Sequence, residues 1–295
     1  MARLGLIVNP TAGKNTGARV GTEALTLLRA AGVDILDLSA ADARSAMEQG
    51  RAAIASGEVD RVVVAGGDGM VHLGTNLCAG TGVALGVIAA GTGNDIAREL
   101  GLPVRDAAKS VERILAGGTR SVDVARHVMA TGEERWFLGV LAAGFDAVVN
   151  ERANQWRWPK GPMRYNLAIV RELPVFRAIP YVLVLDGHRL ETEAMLVAVG
   201  NGPAYGGGMR VTPDAAFDDG LLDVLVLNKI STPEFLRVFP TVFKGAHVTH
   251  PAVEIHRARE VRLEARGIVS YADGERFAPL PMSVEVVPGA LEVLA

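Results

Sequence analysis

The chain of 295 residues has a single cysteine, Cys78, so no internal disulfide can form, and a reducing cytosolic setting is the expectation. It has no apolar run near the ~18 residues that a membrane-spanning helix needs. The opening apolar run, Leu4 to Val8, is cut by Asn9-Pro10 far below signal-peptide length. Nor is there a basic excess. The formal net charge of -3 argues against a general nucleic-acid binder. Internal repeats and low-complexity linkers are missing too. A hydrophobic content of 49% with 21% charged residues fits a water-soluble globular protein large enough for two domains.

What the chain does have is a stretch from Asp60 to Leu100 that repeats one arrangement. An apolar run (Val62 to Ala65, then Leu85 to Ala89) ends in a glycine turn and is followed by a segment compatible with a helix. The turns are Gly66-Gly67-Asp68-Gly69 and Gly91-Thr92-Gly93-Asn94-Asp95. Short apolar runs of this kind read as buried parallel strands, and ligands bind beyond the carboxyl ends of such strands. Around this stretch, strands are predicted at Leu4 to Val8 and Val33 to Leu38. Helices are predicted at Thr16 to Ala31, Ala41 to Ala55 and Asp106 to Ala116. Beyond Val122 the pattern turns to β-prone runs, from Tyr181 to Leu185 through Ile268 to Tyr271. One helix, opened by Ser231-Thr232-Pro233-Glu234, interrupts them.

The common nucleotide signatures fail position by position. A Walker loop would need glycine where Val8 stands, and the Rossmann spacing leads from the two turns to His72 and Ile96. An acid remains at the centre of the first turn. Phosphate alone repels a carboxylate there, whereas a divalent cation between them makes Asp68 intelligible. Asp95, and Asp123 at the end of the next strand, are expected to converge on the same place. Read locally, Asp68 and Asp95 are equally good turn formers. His247, His250 and His256 fit no zinc spacing.

Val64-Ala65-Gly66-Gly67-Asp68-Gly69 followed by Ala90-Gly91-Thr92-Gly93-Asn94-Asp95 resembles the diacylglycerol kinase catalytic family, which includes sphingosine and ceramide kinases and bacterial lipid kinases. Asn9-Pro10 with Gly13 is similar to its first nucleotide loop. Gly200-Asn201-Gly202, Gly206 to Met209, Pro213-Asp214-Ala215 and Asp218 to Asp223 are similar to its second-domain signature, and Asp273-Gly274-Glu275 to its late motif. The matches keep the family's order over nearly the whole chain. One position departs from it: Met70 follows the Gly-Gly-Asp-Gly turn, where the family usually has threonine.

The resemblance implies an α/β N-terminal domain with an NAD-kinase/phosphofructokinase-like parallel sheet (1–123) and an all-β C-terminal sandwich domain (124–295). About the last 12 residues are free to return to the first domain. It implies an ATP- and Mg2+-dependent lipid kinase, with diacylglycerol as the default acceptor and phosphatidic acid as product. The alternatives are an NAD kinase-like phosphotransferase and a non-catalytic nucleotide- or lipid-binding regulator. On this reading Glu275 is the catalytic base, with Asp273 as its understudy. Asn9, Pro10, Gly13, Ser39, Gly66, Gly67, Gly69, Thr92 and Asn94 bind the nucleotide. Asp68, Asp95 and Asp123 form a water-rich magnesium network, in which Asp68 is also catalytic. Asp219, with backbone carbonyls from Ala216 and Leu221, holds a second cation.

The segment 150–180 carries Trp156 and Trp158 with six cations (Arg152, Arg157, Lys160, Arg164, Arg171, Arg177) against Glu151 and Glu172. Tryptophan among basic residues suits the headgroup level of an anionic membrane, so peripheral docking of a cytoplasmic enzyme is expected there. Interdomain packing or a dimer contact is the plainer reading. An exposed β edge in the second domain would pair two copies in a homodimer.

Overall fold

The computed structural model describes residues 3–9, 16–156, 158 and 162–295. The N-terminal unit alternates strands and helices in the order β1 (Arg3–Val8), α1 (Thr16–Ala30), β2 (Ile35–Asp37), α2 (Ala43–Ala55), β3 (Val59–Gly66), α3 (Asp68–Cys78), β4 (Ala84–Ala89), α4 (Asp95–Glu99) and α5 (Ala107–Ala116). Strands β2, β1, β3 and β4 lie side by side and parallel. The run Val62 to Ala65 is fully buried because successive side chains enter different cores. Val62 and Val64 pack with Ala46, Leu73 and Leu77 of α2 and α3. Val63 and Ala65 pack with Val20, Leu28, Val111 and Ile114 of α1 and α5. Two covered faces are what a continuous valine run requires, and each such burial contributes about 1.5–3 kcal/mol. Asp42 and Asp106 cap α2 and α5 by accepting from the amides of Ser45 and Lys109.

The chain continues through β5 (Thr119–Val128), β6 (Glu134–Phe137), β7 (Val140–Gly144), α6 (Phe145–Gln155), α7 (Pro162–Glu172), β8 (Ile179–Leu185), β9 (His188–Gly200), β10 (Leu222–Asn228), α8 (Thr232–Val238), β11 (Val253–Ala258), β12 (Glu260–Glu264), β13 (Val269–Ala272), β14 (Glu275–Pro279) and β15 (Met282–Leu294). From β6 to β14 the strands are antiparallel to their neighbours. Phe137, Leu141, Leu183, Val197, Val224, Val261 and Leu263 fill the core of a β sandwich. Proline ends α8 as its sequence requires: the α-helix stops at Val238, and a 3-10 turn carries Pro240.

The helix content of the second half differs from the sequence reading. Among the described residues the second half contains three α-helices where one is expected, because α6 and α7 join α8 over the other face of β9 and β10. There Phe145, Val149, Met195, Leu225, Leu227 and Phe235 form a separate core. The halves are also one hydrogen-bonded sheet. β15 runs antiparallel to β12 and β5, and at its end Val293 pairs parallel with Leu85 of β4. Asp123 lies within β5, not at a strand end.

Candidate active site

Strands β3 and β4 are hydrogen-bonded neighbours, so their two glycine turns stand side by side. The approach is close enough to demand glycine: a Cβ on Gly91 would lie 2.4 Å from the Gly67 Cα. Asp68, at the start of α3, bridges the turns, with Oδ2 accepting from the Asn94 amide at 2.8 Å and Oδ1 from the Ile96 amide at 3.2 Å. Burial raises the Asp68 carboxyl above its ordinary range, and the nearby Asp95 carboxylate raises it further. Asp95 is buried, with Oδ1 held by Arg98 at 2.6 Å and Oδ2 accepting from the Gly207 amide at 2.5 Å. The glycine loop Gly206 to Gly208 of the second domain is therefore fastened to the second turn of the first.

These groups line a cleft of about 410 Å³, in which Asp68, Asp95 and Asp273 face Ile96, Tyr205 and Met209. A second depression, of about 620 Å³, lies on the other side of Gly69, between α2, α3 and strands β6 and β14. Glu275 lines it beside His72 and Arg276. Its Oε1 is 3.2 Å from where a Cβ on Gly69 would stand, so the carboxylate reaches the Gly-Gly-Asp-Gly turn from the opposite domain.

The hairpin that delivers Glu275 turns at Asp273-Gly274, both with positive φ (52° and 86°). The Asp273 carboxylate is committed: it accepts from the amides of Leu138 and Gly139 at 3.1 and 2.9 Å and meets His72 Nδ1 at 3.0 Å. It is an anchor for the hairpin, which removes it as the understudy base. His72 is in turn stitched to Asn76, whose side chain donates to the Trp136 carbonyl and accepts from the Trp136 amide.

Other expected site residues are placed as follows. The Ser39 hydroxyl accepts from the Val8 amide at the mouth of β1, and its proton has no partner among the described residues. Gly66 faces Asn9 and Met70. Thr92 is exposed beside the turns. The Asn94 side chain is spent on Gly91, accepting from its amide and donating to its carbonyl, so it shapes the turn instead of reaching a ligand. Pro10, Gly13, Arg157 and Lys160 lie outside the described residues.

Asp123 does not converge with Asp68 and Asp95. It lines neither depression, and its carboxylate accepts from the amides of Gly220 and Gly289 at 2.7 and 2.8 Å, bracing two turns of the second half. At Asp219 a guanidinium supplies the positive charge expected of a cation. Asp219 accepts from the Leu221 amide and pairs with Arg257, which also faces the buried Asp223. No hydrogen bond to the carbonyls of Ala216 or Leu221 is among those described. Among the described residues no three His, Cys, Asp or Glu side chains form a preassembled metal cluster. His247 donates through Nε2 to the Val211 carbonyl, and burial lowers its pKa, as for a structural neutral histidine.

Sequence reasoning missed His72, Asn76 and Arg105. Arg105 donates to the carbonyls of Gly91 and Thr92, fixing the second turn from behind. Arg105 has positive φ (58°), a local oddity that only the folded chain displays.

An α/β sheet with two acid-bearing glycine turns, closed by a β sandwich, defines a kinase-like architecture, and comparison with known proteins agrees. The diacylglycerol kinase catalytic domain matches residues 3–127, and the YegS C-terminal NAD kinase beta sandwich-like domain matches residues 139–295. A diacylglycerol kinase of Mycobacterium tuberculosis is 42% identical over 289 residues, covering 98% of this chain and 93% of that one. A diacylglycerol kinase of Bacillus subtilis is 27% identical over 285 residues, covering 95% and 92%. The crystal structure of a diacylglycerol kinase from Bacillus anthracis superposes with a TM-score of 0.72 at 25% identity, covering 99% of this chain and 96% of that one. An NAD kinase from Archaeoglobus fulgidus in complex with ATP shares the fold alone, with a TM-score of 0.55 at 12% identity and coverage of 99% and 93%. The chain belongs to the diacylglycerol kinase catalytic-domain family, and it is a lipid kinase.

Proposed function

We propose that the chain transfers the γ-phosphate of ATP to the free hydroxyl of diacylglycerol, giving phosphatidic acid, with Mg2+ at Asp68 and Asp95. The observation that carries this reading is the cleft itself. It joins an apolar wall of Ile96, Ala204, Tyr205 and Met209 to the carboxylates of Asp68, Asp95 and Asp273, with Asn150, Gly206 and Gly207 also in the lining. A neutral alcohol on an apolar body fits such a space better than a dinucleotide does. A small apolar cavity of about 70 Å³ shares Tyr205 and Met209 with the cleft and extends its greasy wall under α8.

The donor set fits magnesium. Asp68 and Asp95 oppose each other, Asp68 is pushed towards protonation, and a divalent ion bound through water relieves that repulsion. Magnesium, when bound, offsets the charge of the transferring phosphate. The protein's part is positioning. Amides of Gly67 and Gly69, at the start of α3, face the phosphates, and Asn9, Gly66, Ser39 and Thr92 border the nucleotide's path. Glu275 lines the second depression and reaches Gly69, the residue next to Asp68 of the cleft; at that border it takes the proton of the attacking hydroxyl as the new P–O bond forms and ADP leaves. Asp123 and the Asp219 turn keep the second domain in register.

The enzyme acts from the cytoplasmic face of a membrane as a peripheral protein. No helix among the described residues is long and apolar enough to cross one. Docking falls to α7 and its approach: Trp158 is 80% exposed, and Met163, Leu167 and Val170 place an exposed apolar stripe along one helix face beside Arg171. Trp156 is half-buried against the helical core, so Trp158 is the stronger anchor. A homodimer would form along β11, which among the described residues pairs only with β10.

Radiolabelled ATP offered with vesicles of diacylglycerol, a sphingoid base or phosphatidylglycerol, and with NAD, tests the reading. Label should appear in phosphatidic acid. Label confined to NAD would establish the NAD kinase-like alternative, and no label anywhere the regulator.

A further inference from the structure

The carboxylate of Glu151, on α6, accepts through Oε1 from the hydroxyl of Tyr271 at 2.7 Å and from Nε of Arg276 at 2.8 Å. Tyr271 and Arg276 are the cross-strand pair of the β13–β14 hairpin next to Ala272 and Glu275. From α6, then, one oxygen grips both strands one pair behind the base. At the hairpin's tip, Asp273 is held by Leu138, Gly139 and His72. Glu275 stands between these two anchorages, and its side chain makes no hydrogen bond among those described; its direction is inherited from them.

Resting on Glu275 as the base, we infer that Glu151 is a positioning residue for phosphotransfer: it fixes strand β14 so that the Glu275 carboxylate stays over Gly69. A base displaced by ~1 Å loses up to about 100-fold in rate even though the fold persists. The clamp is charge-assisted, since the Tyr271 hydroxyl and Arg276 hold the Glu151 carboxyl below its usual range. The neighbouring residue, Arg152, binds Glu172 of α7 at 2.6 Å, so the helix that sets the base is also tied to the helix proposed to meet the membrane.

Glu151→Ala should lower kcat about 10–100-fold with KM for ATP and binding to diacylglycerol vesicles unchanged. Glu151→Gln keeps an acceptor oxygen and should restore the rate to within about fivefold of the parent. Added to Glu275→Gln, Glu151→Ala should cost less than about twofold more, because two residues that act as one unit are not additive. A full multiplicative loss would mean a merely structural role and would overturn the inference, as would an unchanged kcat in Glu151→Ala. Where that variant melts early, Tyr271→Phe removes one of the two donors and keeps the buried ring. A smaller kcat loss that also vanishes in the Glu275→Gln background is expected, and a wild-type kcat again overturns the inference. Full activity of Glu275→Gln alone would instead remove the reading of Glu275 as the base.

Discussion

The Asp273 carboxylate and the His72 imidazole meet at 3.0 Å, joining the late hairpin to the helix that follows the Gly-Gly-Asp-Gly turn. Because the same carboxylate also satisfies two buried backbone amides, its loss is structural before it is chemical. Asp273→Ala should lower stability by about 1–3 kcal/mol for each donor left without an acceptor. Thermal melting checks this: a melting temperature equal to that of the parent would show the anchor to be dispensable.

Asp68 makes stability depend on pH in a defined direction. Its folded pKa is raised above the ordinary 3.8 by burial and by Asp95. A raised carboxyl contributes stability that is fully present below the unfolded pKa and is lost as pH rises through the folded one. Asp68→Ala should therefore destabilise more at pH ~4 than at pH ~7. Melting curves of both proteins at the two pH values decide it, and a larger deficit at neutral pH would reverse the sign of the argument.

Membrane docking should follow exposure. Trp158→Ala should weaken co-sedimentation with anionic vesicles more than Trp156→Ala, whose ring packs partly against the α6–α8 core. Undiminished binding by a Trp158→Ala, Val170→Asp double variant would remove α7 from the docking surface.

Cys78 is fully buried, and burial pushes its thiol up to about 12. It should resist thiol reagents in the native protein and react only as the fold opens. Labelling followed through a denaturant titration should track the unfolding transition; native-state labelling would contradict the packing of α3.

How far the sequence could be read follows from where each signal resides. Strands β3 and β4 were legible because their burial on both faces leaves an uninterrupted apolar run ending at glycine. Helix α6 was not, although Phe145, Val149 and Ala153 recur at helical spacing, because polar residues fill the gaps and its core partners come from β9, β10 and α8. The glycine turns and the acid in the first are the local signals on which the proposed phosphate and cation sites rest. The duties of Asp273 and Asp123 could not be read: their partners lie 134 to 201 and 97 to 166 positions away, and an Asp-Gly pair looks the same whether its carboxylate is free or committed. Asp219 misled for a related reason, since Arg257, which neutralises it, is 38 residues distant.

The most direct test of the account is phosphatidic acid formation by Asp68→Ala at saturating ATP, magnesium and diacylglycerol vesicles, on protein shown to be folded by circular dichroism. The cleft assigned to Asp68 and Asp95 predicts a fall in kcat of at least about 100-fold. Activity equal to the parent's would mean that the acid at the centre of the glycine turn holds no part of the reaction.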